Sequence, residues 1–298
     1  MAKAAHIPSK SPVGTPTGAP VTVSGRWLLI AFLLSLGAAL LCGYGTLCLL
    51  FWQGQWQLLY HPSRTVTTTP ASEGLAFDDI HFDVTDEGRP QLDGWWISAG
   101  PNSAWPGATV LYLHGASGSL SDTVPELARL HALGLNVFAF DYRGFGRSES
   151  AHPTERMANA DADAAWKYLT DARGIPARSL LVWGDGVGAT FAAHLAAEFA
   201  PAGVILQDPN PPARQILLAD ARARILPLSL LQNETLDPTA ELQFAHVPRL
   251  FLDRDDRSDR THHLFLISGY PKDYFDLRGA SDDKLSANLR RFLDEILH

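Results

Sequence analysis

Five short segments of this chain carry residue types that can do chemistry, and each follows an apolar run. They are His114-Gly115-Ala116-Ser117-Gly118, Asp141-Tyr142-Arg143-Gly144-Phe145-Gly146-Arg147-Ser148, Gly184-Asp185-Gly186-Val187-Gly188, Asp253-Arg254-Asp255-Asp256-Arg257 and Gly269-Tyr270-Pro271-Lys272-Asp273. Glycine-rich turns leave backbone N–H groups free to face an anion, and a hydroxyl or carboxylate held there can attack an acyl carbon if a base takes its proton. Ser117, Ser119 and Asp185 are the nucleophilic types near the first and third turns. Lys272 is a poor base, because a lysine of ordinary pKa, about 10.4, is protonated near neutral pH. A hydrolytic metal would need convergent ligands, and His114, Asp141 and Asp185 are common loop residues with no metal-binding spacing, so neither a metal nor another cofactor is expected.

Apolar periodicity outlines the frame that must position these segments. Runs at residues 77–84, 92–97, 109–113, 136–140, 180–183, 203–206, 249–252 and 264–267 read as strands; stretches at 124–133, 154–171, 189–199 and 282–297 read as helices. Their alternation predicts an α/β fold, a mainly parallel, doubly wound sheet flanked by helices. Sites in such sheets form beyond the carboxyl ends of the strands, where these segments fall. The Asp141–Ser148 turn, with Gly144 and Gly146, reads as scaffold.

In combination, the first three segments resemble the α/β-hydrolase family, in particular small serine hydrolases with an N-terminal membrane anchor. The resemblance runs from about Leu75 to His298. It implies a G-x-S-x-G nucleophile turn between strand and helix. Here the central residue is Gly186, which has no side chain to form an acyl-enzyme. Taking Asp185 as the nucleophile would put Trp183 and Val187 where small residues are needed, whereas the register on Gly186 puts Gly184 and Gly188 there. The resemblance also places oxyanion donors at the amides of Ala116 and Val187, the triad acid at Asp256 with Asp253 and Asp255 as alternatives, and the base at Lys272. It assigns His114 to support of its loop. His262 and His263 precede the last expected strand, the wrong side for a base.

With nucleophile and base both replaced, the expected protein keeps the fold and a pocket bordered by His114, Ser117 and Asp185 but lacks serine-hydrolase chemistry. It would serve as a binding or accessory protein for a small-molecule ligand or a protein partner. The alternative is an active hydrolase of small esters, thioesters or peptides with a relocated nucleophile, Ser117 first.

The 298 residues are 46% hydrophobic and 19% charged, with two cysteines, which excludes disordered, collagen-like and disulfide-stapled chains. With 24 basic against 32 acidic residues and no basic run beyond Arg290-Arg291, nucleic acid is not an expected partner. From Trp27 to Trp52 no residue is charged, a length that crosses a bilayer as a helix and exceeds the apolar core of a cleaved signal peptide, about 7–15 residues. The expected order is a disordered tail (1–25), a transmembrane helix (27–52), a juxtamembrane linker (53–72) with Trp52, Trp56 and Tyr60 at the interface, and a hydrolase-like domain (73–298). Lys3, Lys10 and Arg26 precede the span without any acid, so the N-terminus is expected in the cytoplasm and the domain in the periplasm or an equivalent outer compartment. Ser35, Ala39 and Gly43 recur every four residues and suit weak self-association of the span. Without those three bases, 21 remain against 32 acids, so the outer part carries about −11 rather than −8.

Overall fold

The computed structural model describes residues 24–84, 89, 91–254 and 259–297, and divides into two units, Met1–Leu49 and Leu50–His298. The expected tail lies almost wholly outside the described residues. The first unit is built on α1 (Gly25–Gly54), a helix long and apolar enough to cross a membrane. Its large side chains, among them Leu28, Leu33, Leu34, Leu40 and Leu41, are exposed.

In the second unit, α2 (Trp56–Leu59) and the short strand β1 (His61–Pro62) come first, then a 3₁₀ turn at Pro70–Glu73. The stretch expected to be a linker is therefore part of the domain. Tyr60 is buried and Trp56 stacks on His152 at 4.6 Å, so of the three expected interfacial aromatics only Trp52 is exposed. The main sheet follows: β2 (Asp78–Phe82), β3 (Leu92–Ile97) and β4 (Thr109–Leu113), then the short β5 (Ser117–Gly118), which pairs with β1. Next come α3 (Val124–Ala132), β6 (Asn136–Asp141), α4 (Glu155–Lys167), β7 (Leu180–Asp185), α5 (Gly188–Phe199) and β8 (Gly203–Gln207). Three short helices, α6 (Ala213–Ala219), α7 (Leu228–Leu231) and α8 (Thr239–Phe244), fill a stretch to which no element was assigned from sequence, and β9 (Arg249–Asp253), α9 (Arg260–Ile267), β10 (Lys272–Asp276) and α10 (Asp282–Leu297) end the chain.

The eight strands lie in the order β10-β9-β8-β7-β4-β6-β3-β2, parallel except that β3 runs antiparallel to both neighbours. Central strands such as Thr109–Leu113 are buried throughout because helices cover both faces, which is why they read as unbroken apolar runs. One face packs against α3 and α10, whose Leu285, Leu289, Phe292 and Leu293 recur at helical spacing.

One element differs in type from its expectation. Residues 264–267 are helical, inside α9, where Thr261 and Leu264 face inward three residues apart while Leu266 is exposed. A four-residue apolar run does not distinguish strand from buried helix. The real last strand, Lys-Asp-Tyr-Phe-Asp, is a half-exposed edge with no apolar run to reveal it.

The sheet and α5 meet at their backbones. A Cβ on Gly188 would stand 2.1 Å from the Leu113 carbonyl oxygen, and one on Gly184 would stand 2.3 Å from the Gly188 carbonyl oxygen. At Gly186, φ is +59°, yet an added Cβ would meet nothing closer than Asn210 Oδ1 at 3.3 Å. Gly186→Ala should therefore cost only about 1–2 kcal/mol, the left-handed backbone penalty, whereas Gly184→Ala and Gly188→Ala should each cost about 3 kcal/mol or more. Denaturant unfolding of the three variants checks this ordering; equal losses would contradict it.

Candidate active site

The site is assembled where β4, β7 and β8 end. β7 passes into α5 through Gly186, whose N–H donates to the Gln207 carbonyl at 2.9 Å and whose carbonyl accepts from the Asn210 N–H at 3.3 Å. An added Cβ at Gly186 would lie 3.6 Å from the Gly115 Cα, so the turns after β4 and β7 are in contact. No acceptor among the described residues takes the backbone N–H of Ala116 or Val187. Asn210, just beyond β8, was missed from sequence; its only signal is its place at the carboxyl end of a central strand.

His114 is buried against Tyr142 and Phe145, with Nδ1 2.9 Å from the Gly115 carbonyl oxygen and Nε2 3.6 Å from Asp141 Oδ1. Burial lowers its pKa to about 4, so the ring is neutral and packs its loop. Asp141 accepts the Leu120 N–H at 2.8 Å, and Arg143 pairs with buried Asp161 at 2.6 Å, so the 141–148 turn is scaffold, as expected. Ser117 is exposed on β5, and no histidine or carboxylate among the described residues bonds its hydroxyl; the Ser119 hydroxyl donates to the Thr65 carbonyl at 3.1 Å. Asp185 accepts from Gln207 Nε2 at 3.1 Å and faces Asp208, Glu126 and Arg254.

The expected base is displaced. Lys272 is the first residue of β10, paired with Arg249 at the start of β9, and so lies at the opposite end of the parallel strands from Gly186. Its ammonium donates to the carbonyls of Phe265, Leu266 and Ser268, closing the end of α9. The error follows from reading 264–267 as a strand. The residues that actually follow the last strand are Leu277-Arg278-Gly279-Ala280, with no histidine among them. Of the expected acids, Asp255 and Asp256 lie outside the described residues; Asp253 ends β9, buried, accepting from the Tyr274 hydroxyl at 2.7 Å.

Burial raises five carboxyls among the described residues: Asp141 to about 7, Asp161 to about 6 despite Arg143, Asp185 to about 6 with Asp208 and Glu126 adding, and Asp93 and Glu234 in the same direction. A carboxyl raised above its unfolded value, about 3.9, contributes stability that is full below that value and lost as pH rises through the folded one. His194, raised by its hydrogen bond to Asp163, shares that direction. His114 opposes it, with a contribution present above about 6.5 and lost as pH falls toward its folded value. The raised carboxyls outweigh one imidazole, so the Tm of the full chain in detergent should rise between about pH 7.5 and about pH 5.5; a steady fall across that window would contradict these assignments.

A family model described as serine aminopeptidase, S33, matches residues 104–241. An uncharacterised protein of Mycobacterium tuberculosis is 32% identical over 158 residues, 53% of this chain and 54% of that one. The human alpha/beta hydrolase domain-containing protein 17B is 30% identical over 128 residues, 43% of each chain. The match thus spans about half the length of these relatives. Among solved structures, an esterase of Pyrococcus furiosus superposes with a TM-score of 0.62 at 19% identity, over 80% of this chain and 98% of that one. An alpha-beta hydrolase of Vibrio vulnificus gives 0.58 at 21%, over 76% and 82%. At such identities the likeness is one of fold, and it agrees with the strand order and the strand–turn–helix at Gly186. The chain has the α/β-hydrolase fold.

Proposed function

We propose that this protein is a membrane-anchored member of the family that lacks serine-hydrolase chemistry and acts as a binding or accessory protein. The observation that carries this reading is Gly186. The turn between β7 and α5 has the backbone of a nucleophile turn, with φ +59° and room for a side chain, and bears none. The loop between β10 and α10, Leu277 to Ser281, holds no histidine, which supports it, since a nucleophile without a base would gain little. The free amides of Ala116 and Val187 neither favour nor oppose activity, because backbone donors survive any side-chain loss. The esterase activity named for the Pyrococcus furiosus protein is not carried over at 19% identity. In the same reading α1 is the anchor, with residues 1–25 in the cytoplasm and the domain in an outer compartment, on the strength of Lys3, Lys10 and Arg26.

Full chain purified in detergent, assayed with short acyl p-nitrophenyl esters, thioesters and aminoacyl amides, should show no turnover above the residual that an oxyanion hole and binding alone sustain, about 10³–10⁴-fold over water. Ser117→Ala should leave that background unchanged. Robust turnover abolished by Ser117→Ala, or by any single substitution near Gly186, would establish the relocated nucleophile instead.

A further inference from the structure

The α6–α7 segment, residues 213–231, differs in charge from the domain that carries it. It holds Arg214, Arg222 and Arg224 against Asp220 alone, whereas the chain beyond Trp52 is strongly acidic. Asp220 is already engaged by Arg222, at 3.0 and 2.7 Å, and Arg214 and Arg224 are exposed with no ion pair among the described residues. The same segment exposes two aliphatic side chains, Ile225 at 65% and Leu230 at 82%, while Ala223, Leu226 and Leu228 face inward. Exposed aliphatic side chains interleaved with arginines in one short segment are the composition of an interfacial segment.

Where the chain enters the domain points to what covers that surface. Gln55 is buried three residues beyond the uncharged stretch; its Nε2 donates to the Leu231 carbonyl at 2.9 Å and to the Trp52 carbonyl at 3.1 Å. Six residues further on, the pairing of β1 with β5, together with Arg64 Nη1 on the carbonyls of Phe145 (3.0 Å) and Ser148 (2.6 Å), holds the chain to the carboxyl end of the sheet. The exposed Trp52 belongs to the same neighbourhood and is of the type that settles at headgroup level.

We propose that residues 213–231 dock on an anionic bilayer, with Ile225 and Leu230 in the headgroup–acyl boundary and Arg214, Arg222 and Arg224 at lipid phosphates, so that the strand ends carrying Gly186 face the lipid. The proposal rests on the reading of α1 as a membrane span.

The test uses the full chain with Cys42→Ser and Cys48→Ser, a bimane label at Leu230→Cys or Ile225→Cys, and a control label at the exposed Arg178→Cys, which precedes β7 at the other end of the sheet. Each is reconstituted into vesicles of phosphatidylcholine with phosphatidylglycerol, or of phosphatidylcholine alone, containing a lipid with a shallow nitroxide quencher. Labels at 225 and 230 should be quenched by lipid and shielded from iodide, the control the reverse. Quenching at 230 should fall about threefold with Arg214→Gln plus Arg224→Gln, and similarly in neutral vesicles, while the chain still floats with them. A floating chain whose labels at 225 and 230 are as open to iodide as the control overturns docking and leaves the anchor standing. Labels shielded from both quenchers mean that a second copy covers the patch, which also overturns it. A chain that does not float removes the anchor and the proposal together.

Discussion

The contact on which the site depends is between two backbones. α5 lies so close to the end of β4 that Gly188 has no room for a methyl group, and β7 lies so close to α5 that Gly184 has none either. That approach makes the turn between them sharp and brings Gly186 beside Gly115, with Asn210 hydrogen-bonded to its carbonyl. α5 can sit there because its buried face is small, Ala189, Ala192, Ala193 and Ala196, with Phe191 and Leu195 filling the space beside it. The geometry of a nucleophile turn is thus maintained by packing and does not need a nucleophile to maintain it.

Much of this was legible from residue types. Leu92–Ile97, Thr109–Leu113 and Asp282–Leu297 have the bounds that periodicity predicts, because strands covered on both faces and a one-sided amphipathic helix leave unambiguous patterns. The register of Gly184, Gly186 and Gly188 was legible for a related reason, since a bulky residue at either flank cannot be accommodated. The last strand was not. Its half-exposed edge lacks an apolar run, and the neighbouring Leu-Phe-Leu-Ile stretch offered one in a helix, so Lys272 was assigned to the wrong end of the sheet. Nor does composition reveal that Gln55 and Arg64 are tied into the domain, because those ties are made to residues more than 80 positions away in sequence.

Burial and hydrogen bonding fix the charged groups around the strand ends. His114 is neutral and buried, Lys272 caps a helix at the far end, and Asp185 is held among other carboxylates by Gln207. His114 is held within its own loop and Lys272 lies at the opposite end of the sheet, so neither supplies a base to Gly186. The arginines of α6 and of the 3₁₀ turn after it follow β8, and Leu231, which closes that stretch, accepts from Gln55 where the chain enters the domain.

The most direct measurement of the central claim is the intact mass of the purified full chain after prolonged exposure to a reactive alkyl fluorophosphonate at neutral pH. The account predicts the unmodified mass, because Gly186 offers no hydroxyl and no histidine or carboxylate among the described residues bonds the Ser117 hydroxyl. A single stoichiometric phosphonyl adduct on a residue beside Gly186, blocked by prior heat denaturation, would contradict it.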